Sequence, residues 1–384
     1  MKQLLPIILV IVLLTGGFWL FTQRSAPTYP SAITFADGGD VPSGFARAFE
    51  PRQFQFPQDH GPHFGFQTEW WYYTGNVQAE NGEHFGYQLT FFRRGLTPGA
   101  PPLSPDLATN QIYFAHFALT DVAGDEHTFA ERFSRGAAGL SGATGEPFQV
   151  WLEDWSAASL NSDGSAVRLR AKDKDIALDL TLRATKPIVA QGDGGLSQKS
   201  EEAGNASYYL SFTRMATTGQ VTARGETVNV DGESWFDHEW STSALGGNVA
   251  GWNWFSLQLS DGRELMFYQF RLADGGIGRL SAGTLIEPDG TTRHLSADEV
   301  QIQVEGSWRS PETDADYPAR WRMTVPSAQI EVTVTPWIAA QEMRVSATYW
   351  EGAVKISGSS GGLPVTGDGY VELTGYKGSL KGVF

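Results

Sequence analysis

Between Trp235 and Trp240 the chain carries Asp237, His238 and Glu239 in one unbroken run, inside the stretch DGESWFDHEWS from Asp231 to Ser241. Trp252 and Trp254 follow on the next strand-like segment, and Tyr268 on the one after. Carboxyl and imidazole groups set among indole and phenol rings have a definite chemistry open to them. Apolar walls raise the pKa of a carboxyl group toward neutrality, and ring faces stabilise a developing positive charge. Asp237, His238, Glu239, Trp240 and Tyr268 are therefore the catalytic candidates, with Trp235, Trp252 and Trp254 as candidates for lining a ligand. The competing reading is structural. Aromatic-rich strands also fill all-β cores, and an Asp-His-Glu run is often an exposed turn.

A second cluster lies upstream. Asp59, His60, His63 and Glu69 present an H-x-x-H…E set, and imidazole with carboxylate suits zinc. Gly61-Pro62 separates the histidines, so the expectation is a turn that closes a barrel mouth, with no metal and no cofactor assigned. The run Trp70-Trp71-Tyr72-Tyr73 must alternate its rings between two faces of a strand. Glu69, Trp71 and Tyr73 share one face and join the ligand-binding candidates. A buried Glu69 needs a partner, and Arg93, Arg94 or His238 in that role would make it structural. Hydrolase constellations are poorly represented. Ser234 lacks the strand-turn-helix context that exposes a nucleophile, and it stands too near Asp237 and His238 in sequence for a triad assembled from separate elements.

The elements that must position these groups read as strands. Phe85, Tyr87, Leu89 and Phe91 alternate with smaller or polar residues, as do Tyr113, Ala115, Phe117 and Leu119. Asn81-Gly82, Asp261-Gly262 and Asp289-Gly290 sit between such runs and predict tight hairpins. The hairpin from Glu69 to Arg93 resembles the one from Gly251 to Arg271, with paired aromatics, a turn glycine and a closing Phe-Arg. That spacing predicts a duplicated domain. Gln191 to Asn205 reads as a long exposed loop, and Tyr349, Glu351 and Glu372 in the C-terminal strands as satisfied wall residues.

The 384-residue chain is 41% hydrophobic, enough for two ordinary cores. Its 28 basic against 43 acidic residues, net charge −15, argue against nucleic acid as a partner. The absence of cysteine excludes disulfides, thiolate metal sites and cysteine nucleophiles. Leu4 to Phe21 is an uncharged apolar run between Lys2 and Arg24, so residues 1–25 read as a signal peptide or membrane anchor and 26–44 as a Pro/Gly linker. The rest is expected to be exported, periplasmic or secreted, touching the membrane only through that segment; oligomeric state is left open.

Three blocks, DHGPHFGFQTEWWYYTGNV (Asp59 to Val77), DGESWFDHEWS, and QEMRVSATYWEGAVKISG with GYVELTGY toward the C-terminus, resemble the AttH/CrtC-type lipocalin-like family. That family includes predicted secreted hydrolases and carotenoid 1,2-hydratases. The resemblance implies an all-β fold of two tandem lipocalin-like barrels, here placed at 45–225 and 226–384. It also implies the hydratase chemistry: a carboxylic acid protonates an alkene, aromatic faces hold the carbocation, and water is captured. His238 and Trp240 stand where such enzymes carry a His and a Trp, and Tyr268 matches a Tyr. Phe270 stands where the acid is expected, which leaves Asp237 or Glu239 to replace it. The principal expectation is a binder of an apolar or amphipathic, isoprenoid- or lipid-like molecule; the alternative is a hydratase-like hydro-lyase or secreted hydrolase acting on one.

Overall fold

The computed structural model describes residues 44–101, 109–242 and 248–378. The expected N-terminal anchor and all of the linker but Gly44 lie outside those residues.

Alternating side chains become strands almost throughout. The first sheet begins with a meander of β1 (Thr68–Ala79), β2 (His84–Gly95), β3 (Gln111–Asp121) and β4 (Glu126–Arg135). Strands β5 to β9, between Ser141 and Ala184, form a second meander, joined by the short β10 (Val189–Ala190) and β11 (Leu196–Gln198). The long β12 (Ala206–Ala223) and β13 (Glu226–Ser241) complete it, and β13 returns to pair with β1. In the second sheet β14 (Val249–Leu259), β15 (Glu264–Leu272), β16 (Ala282–Ile286) and β17 (Thr292–Ser296) repeat the opening meander. Strands β18 to β20, between Gln301 and Pro336, then β21 (Glu342–Arg344), β22 (Thr348–Ser360) and β23 (Leu363–Leu373) follow, and β23 returns to pair with β14. The two antiparallel sheets thus have the same strand order, with 13 and 10 strands. They curl into a nearly closed barrel and a half-barrel.

The two similar hairpins are β1–β2 and β14–β15, in the same place in each sheet. Their turns share one device. Gly82 and Gly262 adopt φ of +89° and +83°, a region open to glycine, and the preceding Asn81 and Asp261 side chains accept the backbone N–H two residues on. The same turn joins β16 to β17 at Asp289-Gly290.

One expectation needs moving. Strand β13, placed by the sequence at the start of the second half, hydrogen-bonds between β1 and β12 of the first sheet. Each sheet closes by bringing its last strand back to its first, and for the first sheet that strand is 226–241.

Each sheet has its own interior core, one around Trp71, Tyr73, Phe117 and Trp155 and one around Phe255, Trp321 and Trp350. A third cluster lies between the sheets: Tyr72, Tyr209, Trp235, Trp254, Tyr268, Phe270 and Tyr370. This inter-sheet layer is where the chemistry collects.

Candidate functional site

Strand β13 divides SWFDHEWS by parity, since successive side chains point to opposite faces. Phe236 joins the first interior core, and His238 stacks on Trp71 of that core at 5.0 Å between ring centres. Trp235 and Asp237 turn the other way, and Trp235 meets Trp254 of the second sheet edge-on. The Asp-His-Glu run is therefore neither an exposed turn nor a single constellation. It is two sites back to back.

On the inter-sheet face, Asp237 accepts from Tyr209 Oη (2.8 Å), Ser211 Oγ (2.5 Å) and Trp235 Nε1 (2.7 Å). Burial dominates over those three bonds, which alone would lower its pKa, and pushes the carboxyl up to about 7, with Glu239 adding a smaller repulsion. Glu239 is held by Ser207 Oγ and by Lys199 Nζ at 2.6 Å. Burial by itself would push the Lys199 ammonium down; the Glu239 charge beside it holds it above the ordinary lysine value. That ammonium also lies over the rings of Tyr268 (5.1 Å) and Tyr209 (5.6 Å).

The second sheet answers with a row across four strands. Register pairs Glu351 on β22 with Glu372 on β23, Glu372 with Trp254 on β14, and Trp254 with Tyr268 on β15. Burial pushes Glu372 up to about 7, opposed by a 2.7 Å bond from Trp252 Nε1 and reinforced by the charges of Glu239 and Asp237. Burial and the adjoining Glu372 hold Glu351 well above the usual carboxylate range, and Tyr72 Oη of the first sheet donates to it at 2.5 Å. Trp254 Nε1 likewise crosses the gap to Tyr209 Oη at 3.1 Å. Burial thus holds Asp237, Glu351 and Glu372 above the usual carboxylate range in one aromatic layer, while Glu239 is paired with Lys199. At the edge of this layer Trp70, Lys199 and Trp252 are half-buried.

On the other face, Glu69 accepts from Arg93 Nε (2.8 Å), His63 Nδ1 (2.8 Å) and His238 Nε2 (2.9 Å). His63 Nε2 continues to Asp59 at 3.0 Å, and Arg52 ends the chain on Asp59 at 2.8 Å. Burial would raise the Glu69 carboxyl, but the Arg93 guanidinium and His63 overcome it and hold it far below the usual range. Trp240 stacks on His63 at 3.7 Å, 4° from parallel.

With this geometry in view, the chain matches the AttH-like family over residues 47–376. The chain belongs to the AttH-like family. A solved AttH structure from Nitrosomonas europaea is 34% identical, covers 86% of this chain and all of its own, and superposes with a TM-score of 0.77. Kievitone hydratase of Fusarium solani subsp. phaseoli is 23% identical over 243 residues, 61% of this chain and 67% of the hydratase. The structure of kievitone hydratase from Nectria haematococca, 17% identical, shares the fold with a TM-score of 0.65 over 86% of this chain and 96% of its own.

In this AttH-like chain the expected site residues separate. Asp237, Glu239, Trp235, Trp254 and Tyr268 meet in the inter-sheet layer, with Trp252 at its rim. His238 and Trp240 lie on the opposite face with Glu69, and Trp71 and Tyr73 fill the first core; strand parity puts Tyr72 and Trp70, not Trp71 and Tyr73, toward the second sheet. Glu69 has both Arg93 and His238 as partners, with His63 as a third. Glu351 and Glu372, expected as satisfied wall residues, do each accept a side-chain hydrogen bond, and both face the inter-sheet layer. Alternation in GYVELTGY places Glu372 with Tyr370 on one face, which was the available signal, but nothing local says that this face is covered. Gln191 to Asn205 is no exposed loop either: β11 pairs with β12, and Lys199 reaches Glu239. Phe270 is buried beside Tyr268 at 5.1 Å, and the second sheet instead carries an acid at Glu372, two strands away from Tyr268. Ser234 Oγ bonds Tyr87 and Thr217, and four residues of strand from His238 amount to about 13 Å, too far for a triad.

Proposed function

We propose that this AttH-like chain is a hydro-lyase-type catalyst that adds water across a carbon–carbon double bond of an apolar or amphipathic, isoprenoid-like molecule bound between the sheets. The observation that carries the reading is the pair Asp237 and Glu372, two carboxyl groups held near pKa 7 in a layer walled by Trp235, Trp254, Tyr209 and Tyr268. The kievitone hydratase relative is consistent with it in reaction class.

The two acids differ in a way that assigns their roles. Glu372 accepts one side-chain hydrogen bond and keeps partial solvent contact, so it is the proton donor. Asp237 accepts three, which favour its carboxylate form, so it is the base. The alkene π pair takes the Glu372 proton at the less substituted carbon. The carbocation left at the other carbon is stabilised by the Trp254 and Tyr268 faces, an effect of about 2 kcal/mol when desolvated. Water adds there, and its proton passes to Asp237. Exchange with solvent then takes the proton from Asp237 and restores the one on Glu372, so the sum is alkene plus water giving a tertiary alcohol.

A second reading, a carrier of the same kind of molecule, is favoured by Asp237 having both oxygens engaged. Incubating the purified chain with prenyl-bearing alkenes in ¹⁸O-water separates the two. Incorporation of labelled water, lost in Glu372→Gln, supports the hydratase; binding of the alkene with no labelled product leaves the carrier.

A further inference from the structure

We propose that His63 Nδ1, Glu69 Oε1 and His238 Nε2 form a binding site for a divalent metal ion of the zinc class, at the end of the first sheet's interior. These three atoms lie within 4.8 Å of one another. Two imidazoles and a carboxylate are a donor set that zinc accepts, with a fourth position left for water. Donors around a tetrahedral zinc stand ~3.4 Å apart given metal–ligand bonds of ~2.1 Å. The present separations of 2.8 and 2.9 Å to Glu69 Oε1 would open by about half an ångström, and His63 Nδ1 and His238 Nε2, which lie within 4.8 Å, would settle at the same spacing.

The surroundings are those of a prepared site. His63 presents its other nitrogen to the Asp59 carboxylate at 3.0 Å, the outer contact that orients a metal-bound imidazole, and Arg52 anchors that carboxylate in turn. Glu69 Oε2 is fixed by Arg93. Trp240 and Trp71 lie flat against His63 and His238 and hold both ring planes. His238 Nδ1 is buried without a partner at bonding distance; the Asp59 backbone carbonyl is close enough to act on the ring electrostatically without closing a hydrogen bond. A metal on Nε2 moves the proton to Nδ1 and gives that carbonyl a donor, while the proton on His63 Nδ1 leaves to solvent. The ligands come from the segment before β1, from β1 and from β13, so an ion would pin together the strands that close the first sheet. It lies on the opposite face of β13 from Asp237, and so stands or falls separately from the proposed reaction.

The test uses the whole chain, without a polyhistidine tag, stripped with a chelator and titrated with Co²⁺. The expected result is visible absorption of tetrahedral intensity saturating at one equivalent, bleached by Zn²⁺. His63→Asn abolishes it while circular dichroism stays that of the folded chain, His60→Gln leaves it intact, and Asp59→Asn weakens affinity by about 10- to 100-fold. Because His238→Gln or Glu69→Gln alters a fully buried cluster, His63→Asn is the deciding variant. A folded chain that takes up no cobalt at micromolar concentration, or a His63→Asn variant that binds it like wild type, overturns the proposal and leaves an ion-pair network in which His63 bridges Asp59 and Glu69.

Discussion

A buried carboxyl is useful as an acid only if its proton has somewhere to go, and at the residue scale that separates Glu372 from Asp237. Removing the donor by Glu372→Gln is expected to lower kcat for alkene hydration by about 10²- to 10⁴-fold with little change in KM, measured by product formation under saturating alkene. For the wild type, kcat/KM should fall as pH rises through about 7, where the acid loses its proton. A flat profile from pH 6 to 9 would remove Glu372 from the mechanism. Stability carries a related signature. Asp237 has a folded-state pKa near 7, above the unfolded value of about 3.9, so the folded form binds the proton more tightly between those limits. Its burial therefore opposes folding increasingly from about pH 4 to 7, fully above 7 and not at all below 4. Asp237→Asn should gain stability relative to wild type on going from pH 5 to pH 8, read from urea midpoints at both. The residue types behind these expectations were legible in the chain, since Asp237, Trp254 and Tyr268 stand out as acid among rings. The protonation of Asp237 was not, because its desolvation comes from burial under the second sheet and the added repulsion from Glu239, and no local pattern specifies either.

At the scale of elements, the decisive contact is the approach of β2 to β22. A methyl group added at Gly86 would lie 2.3 Å from Ala353 Cβ, so the two sheets meet there with no spare room. Gly86→Ala is expected to destabilise by about 1–3 kcal/mol through overpacking, and Gly86→Ala with Ala353→Gly to recover much of it. Denaturation midpoints of the two single variants and the double variant check this; equal losses from Gly86→Ala with and without Ala353→Gly would show that the contact does not hold the sheets. The strands themselves were readable from alternation and from the Asn-Gly and Asp-Gly turns. The membership of β13 was not, because a strand's pattern says which of its faces are buried and not which strand it pairs with.

At the scale of the molecule, polar ties accompany the aromatic layer. Glu264 on β15 is fully buried and accepts from Arg214 Nε (2.5 Å) and Lys186 Nζ (2.8 Å), both carried by the first half of the chain. Arg214 reaches it from the irregularity in β12 between Phe212 and Met215, where the register shifts. Truncating Arg214 to Ala leaves a buried carboxylate with one cation fewer and is expected to cost about 3 kcal/mol. The variant's thermal transition should also broaden or split as the sheets uncouple, and a single unshifted transition would show that the aromatic layer suffices alone.

Sequence by itself determined the local rules: where strands alternate, where chain reversals fall, that one hairpin is repeated, and that acids and rings are concentrated near β13 and β14. Tertiary structure alone decided which of those groups meet. Parity splits Asp237 and Glu239 from His238, since neighbours on a strand face apart by geometry. Only the folding of one sheet over the other turned Glu351 and Glu372 from wall positions into a buried and a half-buried carboxyl in the inter-sheet layer with Tyr72 and Asp237. Burial and pairing are sums over residues far apart in the chain, and no local spacing encodes them.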